Sequence, residues 1–124
     1  MPSLPVAVPH DHAMLAAALT AHGVCRLPGF QDLIATQALR LELEGMQATG
    51  SLRAAGTGQG TGHRAGNTTR GDSTQWMEAG CSNTATAYLA ALHVLRIALN
   101  RRLFLGMDEV EAHFACYPIG ACYL

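Results

Sequence analysis

Histidines have the widest chemical use in this sequence, because they can bind a metal, move a proton or activate a nucleophile. The chain has six of them: His10, His12, His22, His63, His93 and His113. Only His10 and His12 are close neighbours, on either side of Asp11, and no third ligand follows nearby. The 124 residues contain no HExxH and no His-x-Asp motif. Since protein metal sites need several ligands at suitable spacing, this pattern argues against a self-contained metal site.

The cysteines are the second group with possible chemistry: Cys25, Cys81, Cys116 and Cys122. They form no CxxC pair, and a chain of this length does not need disulfide staples. We therefore predict free and mostly buried thiols. A Ser-His-Asp or Cys-His arrangement stays open by residue type alone, but no segment resembles a nucleophile elbow.

A glycine-rich stretch at residues 49–71, TGSLRAAGTGQGTGHRAGNTTRG, is the clearest break in the chain. Its GxGxG run is not followed by Lys-Ser/Thr or by the start of a helix, which a phosphate-binding loop requires. We predict a mobile loop without regular structure. The RGD at 70–72 favours an arginine–aspartate pair, Arg70 and Asp72, that braces the base of this loop.

Three helices are predicted to position these residues. The first begins after Asp11, a good cap, and ends at Gly23. The second runs from Asp32 to about Gln47, with one face made by Ile34, Ala38, Leu41 and Gly45. The third runs from Asn83 as its cap to about Leu105, and Gly106 ends it. Its core stripe comprises Tyr88, Leu92, Leu95, Leu99 and Leu103.

Short strands are predicted between the helices. Residues 1–9 carry three prolines and form an extended lead-in, and VCRLPGF (24–30) is a short strand. DSTQWMEAG (72–80) is a strand plus a turn. VEAHFACYP (110–118) is a further strand, and GACYL begins another after a Pro-Gly turn.

Composition indicates one folded domain. Apolar residues make up 49% and charged residues 14%, which is typical of a chain that forms a core. The net charge of −1 predicts no binding to nucleic acid or to an anionic membrane. No apolar run is long enough to span a bilayer, and the N-terminal residues lack the features of a secretory signal. We therefore expect a soluble cytoplasmic protein.

Three segments resemble one enzyme family in matching order. They are GVCRLPGFQDLIATQALRLEL, RGDSTQWMEAG and LNRRLFLGMDEVEAHFACYPIGACY, and together they cover roughly residues 20–124. RGDxxxW, followed some forty residues later by YPxGAxY, is similar to the N-terminal half of the Fe(II)- and 2-oxoglutarate-dependent dioxygenases. The resemblance is to the prolyl-4-hydroxylase-like group, the bacterial relatives of the oxygen-sensing prolyl hydroxylases.

The resemblance implies an α+β fold, with N-terminal helices that support the first strands of a double-stranded β-helix, or jelly roll. Residues 10–124 would form part of that domain, and 49–71 would be the loop that closes over a peptide or protein substrate. The implied cofactors are Fe(II), held by two histidines and a carboxylate, and 2-oxoglutarate, with ascorbate as a possible reductant. The implied reaction hydroxylates a C–H bond and releases succinate and carbon dioxide.

The resemblance also assigns individual residues. Tyr117 and Tyr123 match tyrosines that line the 2-oxoglutarate pocket, and His113 shares the strand face of Tyr117 because 113, 115 and 117 alternate together. Arg70 and Asp72 match the base of the closing loop, and Trp76 lies on the substrate side. The alternative for both tyrosines and for Trp76 is a packing role only.

One part of the family pattern is not found. The His-x-Asp pair of the family follows YPxGAxY directly, and the second histidine and a basic 2-oxoglutarate anchor lie further on. We therefore expect a truncated domain that neither turns over nor binds iron tightly. Two alternatives stay open: a non-catalytic interaction module that pairs with a partner or with itself through an exposed strand edge, and an unrelated helical domain.

Overall fold

The chain forms three helices and a small antiparallel sheet. A computed structural model describes residues 3–54, 73–78 and 80–121. The helices are α1 (His12–His22), α2 (Leu33–Thr49) and α3 (Asn83–Leu103), and the strands are β1 (Arg53–Ala54), β2 (Ser73–Met77) and β3 (Ala112–Cys116). The strands lie in the order β1-β2-β3, and both pairs are antiparallel. This confirms the α+β class, while the jelly roll stays a prediction.

Side-chain caps define the first two helices where the sequence predicted them. The Asp11 carboxylate accepts a hydrogen bond from the Met14 amide at 3.0 Å, and Asp32 accepts one from Ala35 at 2.7 Å. Both helices end at a glycine in the left-handed region, Gly23 in α1 and Gly50 in α2. A glycine at this position has no Cβ to clash, so the chain can turn away at little cost.

The third helix differs from the prediction at both ends. Its cap is Ser82 rather than Asn83, because the Ser82 Oγ accepts from the Ala85 amide at 2.9 Å. The same hydroxyl donates to Glu42 Oε2 at 3.0 Å and so links α3 to α2. The helix ends at Phe104, whose φ of 55° lies in the left-handed region, two residues before Gly106.

The core lies where α1 and α2 pack against α3. Ala85 of α3 is fully buried, and the small side chain lets neighbouring backbone approach closely. The other buried apolar side chains are Ala7, Leu15, Ala16 and Phe114. The predicted stripe along α3 is half-buried at all five positions, and its Tyr88 ring meets the Phe30 ring edge-on at 6.5 Å. The predicted inward face of α3 is therefore confirmed.

Helix α2 turns a different side inward from the one that its apolar residues suggested. Ile34 and Leu41 are 80% and 68% exposed, and Gly45 is exposed as well. The half-buried side consists of Ala35, Ala38, Leu39, Glu42, Leu43 and Met46. Glu42 belongs there because its carboxylate accepts the Ser82 hydroxyl. One polar contact to α3 thus accounts for a carboxylate on the inward side of α2.

The segment before α1 is fixed to the segment after it, but the strand predicted at 24–30 does not form. Val6 and Arg26 make a single parallel bridge. The Ala7 amide donates to the Arg26 carbonyl at 3.0 Å, and the Arg26 amide donates to the Pro5 carbonyl at 2.8 Å. Ala7 is 1% exposed as a result. The prolines on either side remove donors that a longer ladder would need.

The strands also differ in extent from the predictions. Arg53–Ala54 pairs with β2 although it lies inside the predicted loop, and residues 55–71 of that loop fall outside the described residues. Strand β3 occupies only Ala112–Cys116 of the predicted 110–118. The predicted Pro-Gly turn is present, since the Ala121 amide donates to the Pro118 carbonyl at 2.9 Å and Gly120 has φ of 89°. The strand predicted to follow falls mostly on residues 122–124, outside the described part.

Two further expectations concern the cysteines and membranes. Cys25, Cys81 and Cys116 are free, as predicted, but Cys81 is exposed and the other two are only half-buried, so the prediction of mostly buried thiols is wrong for these three. Cys122 lies outside the described residues. Of the three helices described, none combines the length and hydropathy that crossing a bilayer requires. The antiparallel sheet also argues against the alternative of an unrelated helical domain.

Candidate functional site

The pairing of β2 with β3 sorts the predicted site residues onto two faces of the sheet. Trp76 lies directly opposite His113, and Gln75 lies directly opposite Phe114. Residues directly opposed in an antiparallel pair share a face, and successive residues alternate between faces. We call one side the Trp76 face, which comprises Thr74, Trp76, His113 and Ala115. The other side is the Phe114 face, which comprises Ser73, Gln75, Met77, Ala112, Phe114 and Cys116.

The Phe114 face carries the buried residue of β3 and a hydrogen bond to a helix. Phe114 is 7% exposed, which makes it the one buried residue of β3. Cys116 lies on the same face, and its sulfur accepts a hydrogen bond from Gln47 Nε2 of α2 at 2.8 Å. This bond joins residues 69 positions apart and connects the Phe114 face to the C-terminal part of α2.

The Trp76 face carries the side chains with chemical potential. The Trp76 and His113 rings meet edge-to-face, with centroids 5.3 Å apart and planes at 67°. Thr74 lies opposite Ala115, and Arg53 of β1 lies opposite Thr74, so these three form the adjacent row. The face therefore combines an aromatic pair, a hydroxyl and a guanidinium. Small side chains, Thr74 and Ala115, separate the aromatic pair from the next row.

Tyr117 continues the same alternation just beyond β3. It follows Cys116 directly, is 45% exposed, and precedes the turn at 118–121. Its position after His113 and Ala115 agrees with the predicted sharing of a face, although Tyr117 itself is not part of the strand. The other assigned residues, Tyr123, Arg70 and Asp72, lie outside the described residues.

The connection from α3 to β3 is held by side chains of α3. Asn100 Nδ2 donates to the Met107 carbonyl at 2.8 Å, and the Met107 amide donates to Asn100 Oδ1 at 3.1 Å. The backbone amide and the backbone carbonyl of Met107 thus both pair with the side-chain amide of Asn100. Arg96 Nη1 donates to the same carbonyl at 2.6 Å. This connection sets where the chain enters β3 and therefore where His113 lies.

Arg96 is itself positioned by its neighbour on α3. Its Nη2 atom is 3.3 Å and 3.1 Å from the two ring nitrogens of His93. Because those nitrogens flank a single ring carbon, nearly equal distances place the guanidinium over the ring face rather than in its plane. The Nε of Arg96 is buried and has no hydrogen-bond partner among the described residues. His93 therefore serves as a support for Arg96.

The described residues do not fit an iron site. Within 3–54, 73–78 and 80–121, no three His, Cys, Asp or Glu side chains lie close enough to hold a metal ion. His113 has Trp76 as its aromatic neighbour and lies on a strand with no carboxylate. Among the described residues, His113 and Tyr117 are therefore not accompanied by a set of ligands for the metal that the resemblance implies.

The structure brings Trp76 and His113 together, which the sequence did not anticipate, since one was assigned to the substrate side and the other to the cofactor. It confirms that Ala115 shares the face of His113, and it adds two residues to this face, Arg53 and Thr74. Alternation along β2 could have identified Thr74. Arg53 could not have been found in this way, because its strand lies within the glycine-rich stretch.

A solved structure has a similar fold. It is the crystal structure of a prolyl-4-hydroxylase from Pseudomonas putida, with a TM-score of 0.79 and 34% sequence identity. The match covers 91% of this chain and 55% of that enzyme, so the chain spans just over half of the enzyme's length. No family model and no curated protein sequence matches the chain. The fold is therefore prolyl-4-hydroxylase-like.

Proposed function

We propose that this chain is the N-terminal portion of an Fe(II)- and 2-oxoglutarate-dependent dioxygenase that hydroxylates a peptidyl residue, with proline as the favoured substrate. In this proposal Tyr117, Tyr123 and His113 line the 2-oxoglutarate pocket. Trp76, Arg70 and Asp72 lie on the side from which the substrate peptide approaches. The likeness to a prolyl-4-hydroxylase over 91% of the chain supports the proposal.

The observation that carries the proposal is the composition of the Trp76 face. Trp76 and His113 contact each other on this face, and Tyr117 follows in the same alternation. Burial alone does not account for these positions, because His113 and Tyr117 are exposed while Phe114 between them is buried. Exposed aromatic and imidazole groups gathered on one side of a sheet are typical of a ligand-binding surface.

For the 124 residues by themselves we propose no turnover and no tight iron binding. The sequence has no His-x-Asp motif, and the described residues contain no cluster of metal ligands. Their part in the proposed reaction is to supply one wall of the 2-oxoglutarate and substrate sites and the helices that support it. The iron ligands and the second wall would come from other residues.

A chimera tests the proposal. The chain replaces the matching portion of the Pseudomonas putida prolyl-4-hydroxylase, and hydroxylation of a proline-containing peptide is followed by mass spectrometry with and without 2-oxoglutarate. We expect 2-oxoglutarate-dependent hydroxylation. We also expect Tyr117→Phe to raise the KM for 2-oxoglutarate roughly fivefold to tenfold, which is the usual effect of one lost hydrogen bond.

Two controls make the result decisive. Tyr88→Phe removes a hydroxyl from a tyrosine that packs against Phe30, so the KM should stay unchanged. The unfused 124-residue chain should bind no stoichiometric iron. A chimera with native circular dichroism that neither binds 2-oxoglutarate nor hydroxylates the peptide would overturn the proposal. Equal effects of Tyr117→Phe and Tyr88→Phe on the KM for 2-oxoglutarate would show that Tyr117 does not line the pocket.

A second candidate function is a non-catalytic interaction module. It is favoured by exposed apolar side chains on α2, where Leu33, Ile34 and Leu41 are 72%, 80% and 68% exposed. Among the described strands β3 pairs on one side only, with β2, and this is consistent with the predicted strand edge. The same chimera distinguishes the two candidates, because a module would fold in it without restoring hydroxylation.

A further inference from the structure

We infer that the Trp76 face binds a carboxylate of its ligand, and that Arg53 is the cationic residue that recognises it. The inference deepens the proposed function, since it takes the Trp76 face as the ligand-binding side and adds a residue outside the pattern that the resemblance implied. The basic anchor of that pattern lies on a later strand, whereas Arg53 lies on β1, at the far edge of the described sheet.

The sheet register places Arg53 beside the candidate site. Arg53 lies opposite Thr74, and Thr74 lies opposite Ala115, so the three form one row across the sheet on the Trp76 face. Neighbouring strands are about 4.8 Å apart, and an extended arginine side chain spans more than one such spacing. Its guanidinium can therefore reach a group that lies above Thr74, and the Thr74 hydroxyl can donate to the same group.

The row of Arg53, Thr74 and Ala115 has small side chains at its centre, which is where the proposed ligand would lie. Thr74 and Ala115 are small, whereas the row beside them holds the Trp76 and His113 rings. Tyr117 belongs to the following row by alternation. Same-face positions along a strand are about 6.7 Å apart, so the part of this face between the Trp76 row and the Tyr117 row is roughly 13 Å long. A five-carbon dicarboxylate or an acidic peptide side chain fits this length.

Arg53 differs from Arg40 and Arg96, whose guanidinium groups are paired, and from Arg26, Arg101 and Arg102, which lie outside the three-stranded sheet. Arg40 pairs with Glu44 at 3.1 Å, and Arg96 is held by the Met107 carbonyl and the His93 ring. Arg53 is exposed, and no hydrogen bond or ion pair joins its guanidinium to a described residue. The other described residues of the Trp76 face include no acidic side chain. A guanidinium with five donors beside an aromatic pair is suited to bind a planar carboxylate through two hydrogen bonds.

Two ligands would present this chemistry: free 2-oxoglutarate, or a glutamate side chain of a peptide. The test titrates the 124-residue chain with each and follows backbone amide and Trp76 indole resonances by NMR. One probe is 2-oxoglutarate with its dimethyl ester as the neutral control. The other is a capped proline-containing peptide with Glu, against the same peptide with Gln. The variants are Arg53→Gln, Arg53→Lys, and Arg40→Gln as the matched control on an exposed helix.

We expect at least one acidic probe to shift the Thr74, Ala115 and Trp76 resonances, and its neutral counterpart to leave them unchanged. Arg53→Gln should weaken that binding about tenfold, Arg53→Lys should weaken it less, and Arg40→Gln should leave it unaltered. Binding of 2-oxoglutarate alone identifies the cosubstrate as the source of the carboxylate, and binding of the peptide alone identifies the substrate.

The inference is overturned if neither acidic probe shifts these resonances, or if Arg53→Gln and Arg40→Gln weaken binding equally. Equal weakening would show that Arg53 is only a charge on the edge of the sheet. The proposed function has its own test in the chimera, where hydroxylation does not depend on Arg53 being the carboxylate partner. Hydroxylation by the chimera together with unchanged binding by Arg53→Gln would refute the inference alone.

Discussion

The two faces of the β2–β3 pair differ in what surrounds them, although their residues alternate along the same two five-residue strands. On the Phe114 face, Phe114 is 7% exposed and Cys116 accepts a hydrogen bond from α2. On the Trp76 face, His113 is exposed and its aromatic neighbour is across the strand pair. Adjacent residues of one strand therefore have different roles. Phe114 is removed from water, and His113 is the residue that we propose lines the ligand site.

This difference shows how a small sheet can keep polar and aromatic groups accessible. A side chain that is removed from water stabilises the fold by the hydrophobic effect, and a side chain that stays exposed contributes little. If the helices carry most of the stabilisation through the Phe114 face, the Trp76 face is free to vary with the ligand. Substitutions on the Phe114 face should then lower the free energy of unfolding, whereas substitutions on the Trp76 face should change it little.

The largest expected effect comes from the supporting face. Phe114→Ala should lower the free energy of unfolding by about 3 kcal/mol, because it removes a buried ring and leaves a cavity in its place. The measurement is urea unfolding at 25 °C followed by far-ultraviolet circular dichroism. Phe104→Ala is the matched control, since Phe104 is 93% exposed and should change stability by less than about 0.5 kcal/mol. Equal effects of the two would contradict the assignment of Phe114 as the supporting residue.

A smaller effect should follow from loosening the connection that leads into both faces. Asn100→Asp keeps an acceptor for the Met107 amide but places an oxygen against the Met107 carbonyl. We expect a loss of about 1–2 kcal/mol in the free energy of unfolding and faster hydrogen exchange at the Met107 amide.

The control for this change is the same substitution at Asn83, which is exposed in the first turn of α3. An acidic side chain is favourable near a helix N-terminus, so Asn83→Asp should be neutral or slightly stabilising. If Asn100→Asp left the exchange rate at Met107 unaltered, the paired hydrogen bonds would not be what holds the connection.

The smallest effect on stability is expected on the Trp76 face. His113→Ala removes the edge-to-face contact with Trp76, and loss of that contact should lower the free energy of unfolding by about 1 kcal/mol. Trp76 is the single tryptophan of the sequence, so its fluorescence reports on this face alone. The emission of the folded protein should change in His113→Ala and stay unchanged in His22→Ala. A loss of stability as large as that of Phe114→Ala would mean that both faces support the fold.

The sequence alone predicted the structural features that depend on residues close together in the chain. Both ends of α1 and the start of α2 follow from Asp11, Gly23 and Asp32, because a cap and a left-handed glycine act within one turn of the helix. The end of α2 was predicted near Gln47, and the helix continues to Thr49 before the Gly50 cap. The inward stripe of α3 follows from its spacing in the same way. The inward side of α2 did not, since Glu42 lies inward through a hydrogen bond to Ser82, forty residues further along the chain.

The candidate site was predicted in part, for a related reason. Alternation placed His113 and Tyr117 together because it acts along a single strand. The contact between Trp76 and His113 depends on the register of two strands separated by all of α3, and the position of Arg53 depends on a third strand. Register between distant strands is set by packing and hydrogen bonds that no local pattern contains.

The pairing of Asn100 with Met107 has a consequence for how the length of this region can change. Only residues 108–111 lie between that fixed point and the first residue of β3. Because side chains alternate at every residue, a one-residue insertion or deletion there would exchange the two faces unless residues 108–111, which form no regular structure, absorbed it. A change in the length of this segment should therefore cost more than a change in the identity of its three exposed residues, Asp108, Glu109 and Glu111. Among homologous chains these three positions should vary more in composition than the segment varies in length.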